Sequence, residues 1–183
     1  MTITQTGLEG CVIIEPNVIY DGRGYFMESF NESRFAAATG QQVHFVQDNQ
    51  SFSDRGVLRG LHYQTGGHAQ AKLVRVLQGT VLDVAVDIRP GSATYGQHVA
   101  VMLSAENHRQ LFVPRGFAHG FVVLSETATF FYKCDNFYNK ESEGGIAYND
   151  PALSIDWQID NNALVISDKD KVQPELENSQ PVW

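Results

Sequence analysis

The sequence of 183 residues predicts an all-β protein, either an antiparallel β-sandwich or an open barrel, with few short helices. From residue 43 onward, short apolar or alternating runs are separated by Gly, Asp, Asn and Pro, a pattern that is typical of strands joined by turns. Almost no helical sequence is available to cross over between parallel strands, so a parallel α/β sheet is not expected. The length favours one domain over residues 1–183.

The first element predicted is a β-hairpin. Residues 8–20 alternate loosely and are rich in β-branched side chains, and the segment 20–24 (Tyr-Asp-Gly-Arg-Gly) has the composition of a turn. A second short strand is expected over 25–30.

One helix of about ten residues is predicted to follow this hairpin. Ser29 or Asn31 can cap its N-terminus, Glu32 favours its first turn, and Gly40 can end it. No other segment of the chain has comparable start and stop signals.

Two later pairs of strands are each predicted to form a hairpin. Residues 73–77 and 80–88 flank Gln78-Gly79, and residues 119–124 and 128–134 flank a polar turn. A tight turn that begins at Pro114 is expected to lead His119 into its strand.

The strand pattern weakens after Asp150-Pro151. Residues 171–183 are expected to form an extended C-terminal tail.

Composition excludes several functional classes. The net charge of -8, from 13 basic and 21 acidic residues, argues against general binding of nucleic acid, although a few converging cations could still bind a small phosphorylated ligand. Cys11 and Cys134 form no disulfide framework. The chain has neither a signal-peptide pattern nor an apolar run long enough to cross a membrane, so we expect a cytoplasmic protein without membrane contacts.

The segment 57–63 (Val-Leu-Arg-Gly-Leu-His-Tyr), together with Lys72, carries the clearest chemical signal. Arg59 and Lys72 are permanent cations, and His62 between them can accept and return a proton near neutral pH. Strict alternation would place Arg59 and His62 on opposite faces of the strand, whereas a bulge at Gly60 would direct both toward one cavity. The alternative is an ordinary surface arginine and a half-buried histidine.

Each of the remaining candidates also has a structural interpretation. Asp83 or Asp170 could orient His62 as a base, or could be an ordinary polar residue. Lys72 could stabilise a forming negative charge or protect a strand edge. Tyr132 could be a general acid or a core aromatic, and Tyr138 could stack on a planar ring or cover the edge of the core.

Metal and dinucleotide chemistry are not expected. The six histidines form no His-x-His pair or HExxH motif, so a metal site would need ligands from separate strands. The chain also lacks GxGxxG and Walker patterns, which makes nicotinamide or ATP chemistry unexpected.

Seven segments between residue 21 and about residue 170 resemble, in order, the dTDP-4-dehydrorhamnose 3,5-epimerase family, whose members are cupin-like β proteins. They are DGRGYFME at 21–28, FVQDN at 45–49, VLRGLH at 57–62, KLVR at 72–75, DVAVDIR at 83–89, VPRGFAHGF at 113–121 and YK at 132–133. The resemblance implies a jelly-roll fold and conversion of dTDP-4-dehydro-6-deoxy-D-glucose to dTDP-4-dehydro-L-rhamnose, a step toward bacterial surface polysaccharides such as O-antigen.

The resemblance also implies roles for individual residues. His62 would be the base and Tyr132 the proton donor, with Asp170 or Asp83 supporting His62 and Lys72 near the keto oxygen of the substrate. Asp168 is an alternative to Asp170, because landmarks are few in that region. No cofactor and no metal are implied.

The remaining residues implied by the resemblance surround the nucleotide sugar. They are Arg23, Glu28, Gln47, Asp48, Asn49, Arg59, Lys72, His119, Tyr138, Glu143 and Lys169. Arg23 and Arg59 would bind the diphosphate, and Tyr138 would stack on the thymine. The resemblance further implies a homodimer with an exchanged N-terminal segment, in which Arg23 and Glu28 reach the neighbouring pocket.

Three alternatives remain open on the sequence. A related enzyme could epimerise one carbon or shift the ketone, and a protein of the same fold could bind a sugar nucleotide without catalysis. The third is a metal-dependent cupin. The resemblance assigns no role to His68.

Overall fold

A computed structural model describes residues 1–183 and contains fourteen strands and two α-helices. The strands are β1 (Thr2–Gln5), β2 (Val12–Glu15), β3 (Val18–Asp21), β4 (Gly24–Met27), β5 (Gln47–Asp54), β6 (Val57–Gln64), β7 (Lys72–Gln78), β8 (Thr80–Asp87), β9 (His98–Ser104), β10 (Gln110–Val113), β11 (Phe117–Val123), β12 (Thr127–Cys134), β13 (Glu143–Gly145) and β14 (Val165–Ile166). The helices are α1 (Glu32–Thr39) and α2 (Asp168–Lys171).

The strands form two large sheets and one separate hairpin. The first sheet has the order β1-β2-β10-β7-β12-β5, and the second has the order β13-β6-β11-β8-β9. All these neighbours pair in antiparallel fashion, while the short β14 pairs with β6 in parallel. The all-β prediction is therefore confirmed.

The main apolar core lies between the two sheets, because alternate residues of each strand point inward. Val74 and Phe130 of the first sheet pack with Val81, Leu103 and Phe121 of the second. A second cluster covers the other face of the second sheet with residues from the C-terminal third of the chain, including Trp157 and Val182. The second sheet is thus covered on both faces, and every residue of β11 is buried.

The N-terminal hairpin and the helix are both present, but the first strand predicted over 8–20 is divided into β2, which joins the first sheet, and β3. Strands β3 and β4 pair around a turn formed by Gly22 and Arg23. Helix α1 begins after Asn31, whose side chain accepts a hydrogen bond from the backbone of Arg34, and it ends at Gly40 in the left-handed conformation. No helix in the structure has the length and apolarity that a membrane span requires.

The two later hairpins were predicted wrongly. Strands β7 and β8 belong to different sheets, and so do β11 and β12. Each short connection therefore carries the chain from one wall of the sandwich to the other. The two connections pack together at one end of the sandwich, where Thr80 donates its backbone N–H to the Ser125 hydroxyl. Position 79 must be glycine there, because a Cβ at this position would collide with the Thr127 carbonyl.

After α2, the C-terminal residues 172–183 form no strand and contain a short turn of 3-10 helix at Leu176–Asn178. This tail docks against the second sheet, because the Tyr63 hydroxyl donates to the Gln180 carbonyl and the Gly66 N–H donates to the Val182 carbonyl at 2.7 Å. Val182 is buried.

Candidate active site

A cavity of about 600 Å³ opens between the two sheets. One wall consists of β5, β7 and β12 of the first sheet, and the other consists of β6 and β11 of the second sheet, with β14 and α2 at the rim. Eight of the predicted site residues line this cavity: Asn49, Arg59, His62, Lys72, His119, Tyr132, Lys169 and Asp170.

The bulge at Gly60 is present. Arg59 pairs with Phe121 and His62 pairs with His119, so β6 contains one more residue than β11 over this interval. Gly60 has a φ of +139°, and a Cβ added there would lie 2.6 Å from the Gly120 Cα. Only glycine permits this close approach of two backbones, and both Arg59 and His62 consequently line one cavity.

His62 is held by a carboxylate from the far end of the chain. Its Nε2 lies 2.6 Å from Asp170 Oδ1, and the Gly60 N–H reaches the other carboxylate oxygen at 3.4 Å. The Asp170 side chain is 4% exposed, whereas that of His62 is 38% exposed. Burial alone would raise the pKa of Asp170, but hydrogen bonds from His62, Gly60 and Ser167 lower it. The carboxylate therefore remains ionised and accepts a hydrogen bond from the protonated Nε2 of His62.

Because Asp170 accepts from Nε2, the free Nδ1 of His62 is the nitrogen that can accept a proton from a ligand. Ser167 caps α2 and receives the Asp170 N–H, while β14 fixes this segment to β6. Ser167 was not among the predicted residues, although its position three residues before Asp170 is a capping signal that the sequence contains.

Asp83 does not contact His62. Both of its oxygens lie 3.0 Å from Nε2 of His119, which faces the cavity from β11. Asp168 is exposed and pairs only with Lys171. The structure therefore selects Asp170 as the carboxylate that supports His62, and the expectation that Asp83 or Asp168 could do so is corrected.

Two cations in the cavity have no carboxylate partner. The Arg59 guanidinium binds only the Ser53 hydroxyl, at 3.1 Å from both Nε and Nη2, and Lys72 forms no ion pair. By contrast, Lys133, Lys169 and Lys171 each pair with an acid. Burial lowers the pKa of the Lys72 ammonium. Unpaired cations beside a cavity favour an anionic ligand or a developing negative charge.

Tyr132 lies on the opposite wall from His62. It belongs to β12, where it pairs with Asn49 and Val74, and its ring packs against Phe130. Burial raises the pKa of the Tyr132 phenol, which keeps the hydroxyl protonated. A protonated donor and an imidazole acceptor thus face one cavity from separate sheets.

A smaller pocket of about 130 Å³ adjoins this cavity and shares His62, Lys72, Tyr132 and Lys169 with it. Its other polar lining residues include Glu143, Gln64, Gln70 and the exposed Tyr138. Lys169 lies 2.6 Å from Glu143 and lowers the pKa of that carboxyl. A flat exposed ring next to paired charges is suited to a planar, polar group such as a nucleobase.

Besides Asp83, four predicted residues lie outside these two pockets. Arg23 is exposed at the tip of the N-terminal hairpin and pairs with Asp21, and Glu28 follows the same hairpin. Gln47 accepts from the Tyr138 N–H at 3.0 Å, next to the smaller pocket. Asp48 pairs with Lys133. His68 lies in a short 3-10 turn at Gly66–His68 and lines neither pocket.

Comparison with known proteins gives consistent results. Residues 5–178 match the model of a family described as dTDP-4-dehydrorhamnose 3,5-epimerase. The dTDP-4-dehydrorhamnose 3,5-epimerase of Shigella flexneri is 55% identical over 170 residues, which cover 93% of each chain.

Solved structures are equally similar. The crystal structure of dTDP-4-dehydrorhamnose 3,5-epimerase from Elizabethkingia anophelis NUHP1 has a TM-score of 0.94 and 58% identity, covering 97% of both chains. That of dTDP-6-deoxy-D-glucose-3,5-epimerase from Legionella pneumophila Philadelphia 1, in complex with dTDP-4-keto-L-rhamnose, has a TM-score of 0.93 and 51% identity, covering 97% of this chain and 93% of that one.

Proposed function

The chain belongs to the dTDP-4-dehydrorhamnose 3,5-epimerase family, and from this membership we propose how its cavity carries out the reaction. The enzyme is an isomerase that converts dTDP-4-dehydro-6-deoxy-D-glucose to dTDP-4-dehydro-L-rhamnose in dTDP-L-rhamnose biosynthesis. The C4 ketone of this substrate acidifies the protons at C3 and C5, so inversion needs a base, a stabilised enolate and an acid on the other face.

His62 is the base in this proposal. Its Nδ1 takes the C–H proton, the carbon–hydrogen electron pair becomes the enolate, and Asp170 stabilises the resulting imidazolium through Nε2. The short contact between His62 and Asp170 supports this role, because it fixes both the ring and the proton on Nε2.

Lys72 stabilises the enolate oxygen, and Arg59 binds the diphosphate. The absence of any carboxylate partner for either side chain supports these roles, since each charge is free to act on the ligand. The charge of the enolate exists only during the reaction, so Lys72 contributes mainly to kcat.

Tyr132 is the proposed proton donor. It delivers its phenolic proton to the carbanion from the face opposite His62, which inverts the carbon, and it then regains a proton from solvent while His62 loses one. The single observation that carries this proposal is the placement of His62 and Tyr132 on opposite walls of one cavity.

The smaller pocket is the proposed site for the nucleotide. Tyr138 stacks on the thymine, and the remaining polar residues around this pocket orient the nucleoside. These residues are Gln47, Asp48, Asn49, Glu143 and Lys169, while His119 contacts the sugar.

Turnover in deuterated water tests the reaction. We expect product from the wild-type enzyme to carry deuterium at both C3 and C5, whereas label at one carbon would indicate a single epimerase or ketoisomerase. The variant His62→Ala should incorporate no label yet still bind dTDP, whereas wild-type protein that binds dTDP and incorporates no label would indicate a sugar-nucleotide binding module. Activity that persists after dialysis against a chelator would contradict the metal-dependent alternative.

We also propose that the enzyme is a homodimer whose N-terminal segment is exchanged. The hairpin β3–β4 supports this proposal, since its apolar side chains Ile19, Tyr20, Tyr25 and Phe26 are 54–70% exposed. Arg23 and Glu28 lie on this hairpin or directly after it, so exchange would bring them to the pocket of the second copy.

Mixing two inactive variants tests the exchange. In a heterodimer of Arg23→Ala and His62→Ala, one pocket combines an intact His62 with an intact hairpin from the other copy. Activity should therefore reappear after the two variants are unfolded and refolded together. Failure to restore activity, with a dimer confirmed by light scattering, would show that Arg23 does not act across the interface.

A cytoplasmic location completes the proposal. Cys11 and Cys134 are both free and buried, which suits a reducing compartment. Fractionation of cells that express the tagged protein tests it, and recovery outside the cytoplasmic fraction would contradict it.

A further inference from the structure

A second histidine and carboxylate pair lies directly beside the first. His119 of β11 is the register partner of His62 of β6, so the two imidazoles are neighbours across antiparallel strands. Each ring binds a carboxylate through Nε2, His62 to Asp170 and His119 to Asp83. The mechanism proposed above uses the first pair as the base, and it gives His119 a contact with the sugar but gives Asp83 no role.

Burial of the Asp83 carboxylate costs folding free energy. The Asp83 side chain is 0% exposed in the middle of β8, and His119 Nε2 is the one group that hydrogen bonds to its two oxygens. A buried carboxylate without a partner is strongly destabilising, and the residues on either side of Asp83 in β8, Leu82 and Val84, are apolar. The pair is therefore better explained by a role in the cavity than by a contribution to folding.

The geometry fixes the tautomer of His119. A carboxylate only accepts hydrogen bonds, so Nε2 must carry the proton that points to Asp83. Nδ1 makes no hydrogen bond within the chain. It is also not fully buried, because the only fully buried side-chain nitrogen or oxygen atoms without a partner are His68 Nδ1 and Arg75 Nη1. Nδ1 therefore reaches the cavity as a hydrogen-bond acceptor.

We propose that Asp83 is a positioning residue that holds His119 so that Nδ1 accepts a hydrogen bond from a hydroxyl of the sugar ring. This inference rests on the proposed function. In a 4-keto-6-deoxy sugar linked to a diphosphate, the ring hydroxyls at C2 and C3 are the only donors of the sugar, and its other oxygens are acceptors. Arg59 and Lys72 are donors suited to those oxygens, whereas His119 provides an acceptor beside the base.

The consequence is control of the sugar's orientation. A hydroxyl bound by His119 lies next to His62, because the two rings are cross-strand neighbours, and this contact presents the adjacent C–H to the base. His62 thus moves the proton, and the pair of His119 and Asp83 determines which edge of the ring His62 meets.

The first test uses the wild-type enzyme. Nitrogen NMR of 15N-labelled histidine, with the His119 signals assigned from a His119→Gln variant, should show a protonated Nε2 and an unprotonated Nδ1 for His119 at pH 8. A protonated Nδ1 with an unprotonated Nε2 would overturn the proposal, and this result does not depend on the folding of any variant at Asp83.

The second test is kinetic. An amide can donate or accept, so Asp83→Asn removes the constraint on the tautomer, and we expect kcat/KM to fall about tenfold or more, the change typical of one lost or misdirected hydrogen bond. The affinity for dTDP, which has no sugar ring, should stay within about twofold of wild type. Asp168→Asn, at an exposed carboxylate that contacts only Lys171, is the matched control and should retain normal kinetics.

Two outcomes would overturn the inference. One is a normal kcat/KM in Asp83→Asn, and the other is a loss of dTDP affinity equal to the loss of kcat/KM, since Asp83 would then support the whole fold. Both outcomes are distinguishable from failure of the proposed function, which would appear as normal activity in His62→Ala.

Discussion

Replacement of Gly60 by alanine tests whether the bulge in β6 positions the base. A Cβ at this position would lie 2.6 Å from the Gly120 Cα, while ordinary van der Waals contact begins at 3.4 Å. The two strands must therefore separate by about 0.8 Å, and misplacement of a catalytic group by about 1 Å can lower the rate about 100-fold. We expect kcat of Gly60→Ala to fall by roughly this factor.

Stability should also decrease. The φ of +139° disfavours alanine by about 1–3 kcal/mol, and the overlap with Gly120 adds a similar amount. Each kcal/mol lowers the Tm of a domain of this size by about 2–4 °C. Gly91→Ala is the matched control, because Gly91 also has a positive φ of +80° but has no atom within 4 Å of an added Cβ.

The assay compares thermal unfolding and the rate of deuterium incorporation for both variants. Gly91→Ala should lose stability and keep its activity, whereas Gly60→Ala should lose more stability and most of its activity. If folded Gly60→Ala turned over within about twofold of wild type, the close approach to Gly120 would not position His62, and the reasoning would be wrong.

Three further predictions concern the acid, the cation and the supporting carboxylate. Tyr132→Phe should still exchange solvent deuterium into recovered substrate through His62 but should form no inverted product, and loss of both exchange and inversion would contradict its role as proton donor. Lys72→Met should lower kcat by about 10²–10³ with unchanged dTDP affinity, whereas Lys140→Met, at an exposed lysine, should match wild type in both measurements. Asp170→Asn should lower kcat at least about 100-fold at neutral pH. Burial alone would raise the pKa of Asp170, but hydrogen bonds led by that from His62 lower it. The ionised carboxylate therefore stabilises the fold above the ordinary carboxyl pKa of about 4, so the Tm difference between wild type and Asp170→Asn should be largest near pH 7 and should shrink as the pH falls below about 4. A pH-independent difference would contradict this assignment.

Local signals in the sequence predicted local structure well. Asn31 and Gly40 define the ends of α1 because each satisfies the backbone groups that a helix end leaves free, and this chemistry is independent of the rest of the fold. The turn before β4 was also predictable, because its Asp and Gly residues favour a turn whatever the rest of the fold. The docking of the tail on Tyr63 was not, since it depends on contacts between residues more than 100 positions apart.

The candidate site was predictable in its residue types but not in its pairing. The spacing of Arg59, Gly60 and His62 indicated that a bulge could bring two side chains together, and the structure contains that bulge. Spacing could not decide between Asp83 and Asp170, because both lie on elements remote from β6 in sequence. Only the parallel contact of β14 with β6 brings Asp170 to His62.

The wrongly predicted hairpins explain how the cavity arises. Had β11 and β12 formed a hairpin, Tyr132 would lie in the same sheet as His119 and its strand partner His62, and no space would separate the acid from the base. The three-residue connection between these strands instead crosses from the second sheet to the first, so residues thirteen positions apart face each other across the sandwich. The connection of β7 to β8 does the same for Lys72 and Asp83. Inversion at a carbon requires proton removal and delivery on opposite faces, and these two crossings supply the two walls that the reaction needs.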